Sequence, residues 1–467
     1  ELALEHGDNW TDVDYCNAMY GNDRDGRFRS LKHWLTRRLI ELQVSDVCLH
    51  TRDDVMKKYK ARIRVNRYFV ATYLYYSSPK GGRVLDFLFD QARREAEEFE
   101  LYEELARIYS LMAFNLLTQD DHSKFEEYAQ KKAHYLRAAI AVDLAFETYN
   151  RRVYLEYTQR NLPPHEELKL LEASLRKLRK LGEGLDSQMF NYFYRCLEYD
   201  YHLARRDIDS AMDTAKDLLR ILLNGPLISS STRIAKTYGY MSSCSLFLKD
   251  YKKTYDYAVK VREALDNFKS SNFKLAVMQQ FFACVFMNKI NQAEEHLKEL
   301  LEDDFKTVSY QDSGKVDYFL AVLRFLQERY QESFTVLQGV KEIMDDKAGW
   351  NIGVRQLSFM CLVEMGLQDQ ASAVVEQMRK YLERTKDKVE FRERDQVIYS
   401  LFAAIHRSQY RFDHPRSGMK KLAAELADDT SPIAWTPVSQ ELVPVHNWFQ
   451  KHLKKATSKP KKRSMKA

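Results

Sequence analysis

Three stretches carry residue types and spacings that suit chemistry. "SSPKGGRVLDF", residues 77–87, sets paired glycines before a helix-like run, an arrangement that can turn backbone N–H groups toward an anion. It lacks the G-x-x-x-x-G-K-[ST] pattern of a phosphate loop, and it reads as a turn between two helices. "GNDRDGRF", residues 21–28, has the carboxylates and glycine of a calcium loop, but the position six after Gly26 is Lys32 rather than an acid, so it reads as a turn. Twelve histidines include no H-E-x-x-H and no H-x-x-x-H pair; His202 and His296 read as imidazoles on helix surfaces. Cys16, Cys48, Cys196, Cys244, Cys284 and Cys361 form no C-x-x-C pair, and they read as reduced, buried thiols of a cytoplasmic protein. No G-x-S-x-G elbow occurs. The expectation is a protein with no catalytic residue, no metal and no cofactor.

The third stretch is the end of the chain. "KHLKKATSKPKKRSMKA", residues 451–467, holds eight basic residues and no acid. Those eight charges exceed the +6 of the whole chain, so the other 450 residues are slightly acidic. Lys459, Lys461, Lys462 and Arg463 are the candidate contacts to an anion or nucleic acid, in a disordered tail whose attraction would depend on salt. No aromatic residue follows Phe449, so base stacking is not expected. A solubilising tail, or an import signal at "KPKKR", remains the alternative.

The elements that would position such groups are helices. Period-3.6 apolar spacing runs nearly from end to end, no alternating β-branched run stands out, and no proline occurs between Pro226 and Pro415. In "KLAVMQQFFACVFM" a wide stripe of Leu275, Met278, Phe282, Val285 and Phe286 predicts a helix covered on more than one side. In "NQAEEHLKELLEDDF" the narrower stripe of Ala293, Leu297, Leu300 and Leu301 predicts a helix with one wet face. No run of about 18 apolar residues predicts a membrane span. The acidic, polar start predicts no signal peptide, although a chain beginning at Glu1 leaves a preceding segment open.

The helices recur as pairs. The first-turn residues of successive second helices are Thr254, Ala293, Ser333 and Ala371, spaced by 39, 40 and 38. Upstream, the same reading marks Ala211, Leu168, Phe125 and Gly82, spaced by 43. A fixed period of this kind signals stacked units that bury a core only against their neighbours.

"YGYMSSCSLFLKDYKKTYDYAVKV", residues 238–261, resembles a tetratricopeptide repeat. It has Tyr238 early in the first helix, small Ser242, Tyr251 in the turn and Ala258 in the second helix. "CLVEMGLQDQASAVVEQM" adds the turn glycine Gly366 and small Ala371. The units exceed that family's period of about 34, and its closing proline is missing between 227 and 413; a HEAT-like array, with a period of about 40–47, is the alternative. The resemblance implies an all-α, right-handed α-solenoid of antiparallel helix pairs. The expected organisation is an N-terminal helical cap over 1–69, repeats over 70–406, a C-terminal loop and capping helix over 407–450, and the basic tail over 451–467.

Function on such a scaffold lies in the groove formed by the inner helices. Helical register puts Lys236, Tyr240, Lys315, Tyr318 and Arg355 there, as candidates to bind a protein or peptide. The Lys and Asn pattern by which some tetratricopeptide proteins clamp a peptide carboxylate is not found. Two other readings stand beside the scaffold: an RNA- or ribosome-associated factor using the basic tail, and a protein whose active domain precedes Glu1.

Overall fold

The computed structural model describes residues 10–22, 25–35, 57–76, 82–118, 124–157, 164–266, 268, 270–302, 310–340, 349–385, 391–412 and 417–458. Among them there is no strand. The helices used below are α1 (Asp12–Tyr20), α2 (Lys57–Tyr75), α3 (Gly82–Glu98), α4 (Tyr102–Thr118), α5 (Phe125–Tyr157), α6 (Pro164–Leu181), α7 (Gln188–Ala204), α8 (Ile208–Asn224), α9 (Ser231–Phe247), α10 (Tyr251–Ala264), α11 (Ser271–Phe286), α12 (Ile290–Leu301), α13 (Tyr310–Leu326), α14 (Tyr330–Gly339), α15 (Trp350–Glu364), α16 (Gln368–Thr385), α17 (Glu393–Arg407), α18 (Ser417–Ala427) and α19 (Val445–Ser458). Two compact units divide the chain, residues 1–160 with 176–193 and residues 161–175 with 194–467, so the boundary runs within α6 and α7.

In the first unit α2, α3, α4 and α5 pack in sequence order. Ala61, Val65 and Phe69 of α2 meet Ala92, Ala96, Leu105, Ile108 and Tyr109 of α3 and α4. The α2–α3 pair therefore begins before residue 70, inside the stretch expected to be a cap. Glu100, in the corner between α3 and α4, accepts hydrogen bonds from Ser187 Oγ at 2.7 Å and from the Gln188 N–H at 2.7 Å. Its carboxylate thereby supplies negative charge where the α7 dipole is positive.

In the second unit each helix from α8 to α19 packs on the next wherever the sequence places them in a pair, and first helices also touch each other, α9 on α11 and α13 on α15. The corners explain the recurring sequence phrase. Arg206, Lys249, Asn288, Glu328 and Gly366 all adopt the left-handed conformation, with φ of 59, 59, 58, 61 and 74°. Each is flanked by the same two hydrogen bonds. At the second corner the Asp250 N–H donates to the Ser245 carbonyl at 2.9 Å and the Lys249 N–H to the Leu246 carbonyl at 3.0 Å; at the next, Lys289 donates to Cys284 at 2.8 Å and Asn288 to Val285 at 3.1 Å. This is the Schellman ending, which satisfies the last carbonyls of the first helix and reverses the chain. Asp207 and Asp250 then cap the following helix through the N–H of Ser210 and Lys253.

Five residues beyond each left-handed corner lie Ala211, Thr254, Ala293, Ser333 and Ala371, all at 0% exposure. Close approach of the paired backbones explains their small size: Ser242 Oγ donates to the Thr254 carbonyl at 2.8 Å, and Ser333 Oγ to the Ala321 carbonyl at 2.7 Å. The upstream series does not continue this pattern. Phe125 is exposed at the start of the long α5, Leu168 is half-buried, and Gly82 opens α3. The equivalent corner in the first unit is at Glu100, φ 49°, with Leu101 donating to the Ala96 carbonyl at 2.8 Å and Leu105 in the buried position.

First and second helices differ in burial as their stripes predict. In α11, Phe273, Ala276, Val277, Phe281, Phe282, Cys284 and Val285 are buried; in α12 only Ala293, Leu297 and Leu300 are. Leu275, placed in the buried stripe by sequence, is 42% exposed. Cys16, Cys196, Cys244, Cys284 and Cys361 are buried and in no disulfide, and Cys48 lies outside the described residues. Burial pushes the thiols of Cys244 and Cys284 up to about 11 and that of Cys361 up to about 12, which keeps them protonated and unreactive. Among the described residues no helix is long and apolar enough to cross a membrane.

Candidate functional site

The segment between α18 and α19, read from sequence as a loop, is a strap of non-helical chain, bent by successive turns, seated on first helices of the second unit. Ile433, Trp435, Gln440, Glu441 and Leu442 are all buried. Trp435 packs edge-on against Phe286 of α11, with ring centroids 5.4 Å apart, and the Lys249 ammonium lies 5.6 Å from its ring. Its indole N–H donates to the Glu441 carbonyl at 2.9 Å, folding the strap on itself.

Further along, the Tyr318 hydroxyl of α13 donates to the Gln440 carbonyl at 2.7 Å. Gly353 of α15 leaves room for that carbonyl: a Cβ there would stand 2.6 Å from the Gln440 oxygen. The Gln440 side chain donates to Asp395 at 3.0 Å, and Gln356 donates to the other oxygen of the same carboxylate at 3.0 Å.

Arg394 of α17 closes the site. Its Nε and Nη2 donate to the two Glu441 oxygens at 2.5 and 3.0 Å, and its Nη1 donates to the carbonyls of Leu426 and Ile433 at 2.9 and 2.7 Å. The two side chains are 5% and 1% exposed. Burial pushes the Glu441 carboxyl above its ordinary value while the guanidinium and the Val445 N–H oppose it. His446, half-buried, accepts from Arg394 at Nδ1, 3.1 Å; desolvation and the adjacent guanidinium push its pKa down to about 4, so it is neutral at pH 7.

The arrangement grips main chain through side-chain donors and grips side chains through the Trp435 contacts, the Gln440–Asp395 bond, burial of Ile433 and Leu442, and the Arg394 guanidinium. Such contacts can hold a non-helical peptide on a helical surface.

The groove candidates fall differently from the sequence reading. Tyr318 does not open to a groove: it is 2% exposed because the strap covers it. Lys236 and Tyr240 lie together on α9, the ammonium 5.5 Å from the ring, and Tyr240 stacks on Tyr199 with centroids 4.0 Å apart. Both are half-buried. Lys315 lies 6.0 Å from the Trp350 ring, and the Arg355 guanidinium sits 3.9 Å from the Tyr381 ring while donating to the Asn351 carbonyl at 2.7 Å. Beside Tyr240, Gln279 of α11 is 3% exposed; its amide donates to Ser243 Oγ at 2.7 Å, and its Oε1 has no partner. Lys459, Lys461, Lys462 and Arg463 lie outside the described residues.

Sequence reasoning missed Arg394, Glu441, Trp435 and Gly353. The available signal was the density of Ile433, Trp435, Val438, Leu442 and Val443 among prolines. A solvated loop has no use for so much apolar surface.

One Ser–His contact occurs outside the strap. Ser372 Oγ lies 2.9 Å from His406 Nδ1 and 2.9 Å from the Tyr410 hydroxyl, but it donates its proton to the Gln368 carbonyl at 2.8 Å, the ordinary bond of a helical serine. Among the described residues no group of His, Cys, Asp and Glu is arranged to hold a metal.

Pairs of helices, repeated Schellman corners and adjoining first helices give the chain the architecture of a tetratricopeptide-like array. No family model and no curated protein matches the sequence. A solved structure of a Rap protein complexed with competence and sporulation factor aligns with 86% of this chain and 95% of that one, at 10% identity and a TM-score of 0.49. A likeness of that size carries no function from that protein to this one.

Proposed function

We propose that this chain is a protein-binding scaffold, and that the first-helix face of its second unit takes a non-helical segment of a partner. The observation that carries the proposal is the strap: the face already holds a stretch of non-helical chain through Tyr318 and Arg394, which donate to the Gln440 and Ile433 carbonyls. The features of that face continue beyond the strap. Lys236 and Tyr240 offer a cation beside a stacked ring. Lys315 and Arg355 add positive charge that suits acidic residues. The proposal includes no catalytic step, and it places the protein in the cytoplasm.

The test uses a photoreactive phenylalanine analogue at position 240, irradiated in nuclease-treated extract of the native cell. One or two discrete crosslinked proteins are expected, lost when Lys236, Lys315 and Arg355 are all changed to Glu. Capture indifferent to those changes overturns the groove assignment. Capture that disappears with nuclease favours the nucleic-acid reading built on the basic tail.

A further inference from the structure

The strap also says what kind of partner the face fits. We infer, resting on the reading just given, that residues 428–444 occupy the face in place of a partner segment. That segment has the same chemistry: non-helical, turning chain with an aromatic residue followed, about six positions on, by a carboxylate.

Each part of the inference comes from a contact. The ring of Trp435 meets Phe286 edge-on and has the Lys249 ammonium 5.6 Å from its centroid, a site a flat ring fills by apolar contact and cation–π attraction. The Glu441 carboxylate takes two parallel hydrogen bonds from Arg394, a geometry selective for a planar acid. Tyr318 and Arg394 grip the Gln440 and Ile433 carbonyls of the strap, which every sequence provides. Gly353 admits a main chain at close range and would exclude nothing on the basis of its side chain. Aromatic and acid are thus read, the Gln440 amide is held by Asp395, Ile433 and Leu442 are buried as apolar groups, and the Gln440 and Ile433 carbonyls are held as backbone.

Exchange is built into the attachment. The strap's own backbone contributes neither helix nor strand pairing over residues 428–444. Its downstream end is anchored separately: Trp448 of α19 donates to Glu364 at 2.8 Å and packs on Phe359 and Phe402. A released strap therefore remains tethered, and it competes with a partner at the effective concentration a short linker imposes.

The experiment uses the full chain and, as probe, a fluorescent synthetic peptide of residues 428–444. Wild-type chain is expected to bind it weakly, because the face is filled. The chain carrying Trp435→Ala and Glu441→Gln is expected to bind it at least about tenfold tighter, and a peptide carrying Glu441→Lys is expected to lose that gain. A variant with unchanged helical circular dichroism and no such gain overturns the inference, as does binding indifferent to Glu441→Lys. Should the variant lose helical signal, hydrogen exchange on the wild-type chain decides. The Trp435 indole and Val445 amide hydrogens are expected to exchange at least about tenfold faster than the buried amides of α15 and α17. Equal rates mean the strap opens only with global unfolding, which overturns the inference. Crosslinking at position 240 lies outside the strap's contacts, so its success with failure here rejects this inference alone.

Discussion

Arg394 and Glu441 form a two-point ion pair sealed from water, 47 residues apart in sequence, where the strap meets α17. Removing one partner leaves an uncompensated buried charge. Arg394→Ala is expected to cost about 3–5 kcal/mol in urea unfolding, whereas replacing both residues by Met costs less than Arg394→Ala alone. Equal losses for the two variants would mean the pair's charge is not the source of the effect.

Gly353 and Gly239 occupy first helices but have different surroundings. A methyl at 353 would meet the Gln440 carbonyl, while a methyl at 239 meets nothing within 4 Å. Gly353→Ala is expected to dislodge the strap, seen as faster protease cleavage between 428 and 444. Gly239→Ala leaves cleavage unchanged and, through helix propensity, adds up to about 1 kcal/mol of stability. Resistance to protease in Gly353→Ala argues against close seating of Gln440.

His446 links the strap to pH. Its pKa is pushed from 6.5 to about 4 in the folded chain, so between those values the unfolded chain binds a proton that the folded chain does not. Its contribution to stability is present above pH 6.5 and is lost as pH falls toward 4. His296, likewise lowered by desolvation and by Arg262, acts in the same direction. His446→Gln is expected to flatten part of the decline in melting temperature between pH 6.5 and 4. An unchanged pH profile shows that the imidazole titrates normally.

The corners permit a test with opposite signs. Arg206 holds φ 59° with a side chain, and Gly366 holds φ 74° without one. Arg206→Gly is expected to stabilise the chain by up to about 1 kcal/mol, and Gly366→Ala to destabilise it by about 1 kcal/mol, in thermal or urea unfolding. Effects of the same sign would show that corner conformation does not control the outcome.

The interior of each helix pair makes a further demand on size. Ala293 is at 0% exposure where α12 crosses its partner. Ala293→Leu is expected to cost about 1–3 kcal/mol by overpacking, while enlarging exposed Arg206 or Lys252 has no such effect. A neutral Ala293→Leu would contradict close packing at that crossing.

Much of this molecule was legible before any coordinates. The small residues Thr254, Ala293, Ser333 and Ala371 were found by spacing, because two backbones crossing closely leave no room for a larger side chain. The difference between α11 and α12 was legible because burial on several sides broadens an apolar stripe. Phe125 and Leu168 were misplaced because a constant spacing was carried upstream into a region where α5 runs for 33 residues and the corner falls at Glu100. The left-handed corners at Arg206, Lys249 and Glu328 gave no glycine signal, since tertiary packing outweighs the local cost.

The sequence by itself determined the helices, their pairing and the positions where pairs touch, because these follow from periodicity and side-chain size over a few dozen residues. Only the tertiary structure decided that Tyr318 is covered, that Gly353 faces a carbonyl and that Arg394 finds Glu441. Those contacts join residues up to 122 positions apart through a segment without a repeating period. Where such a segment comes to rest depends on which surface offers its apolar groups burial and its carboxylate a cation, and that surface exists only after the helices have stacked.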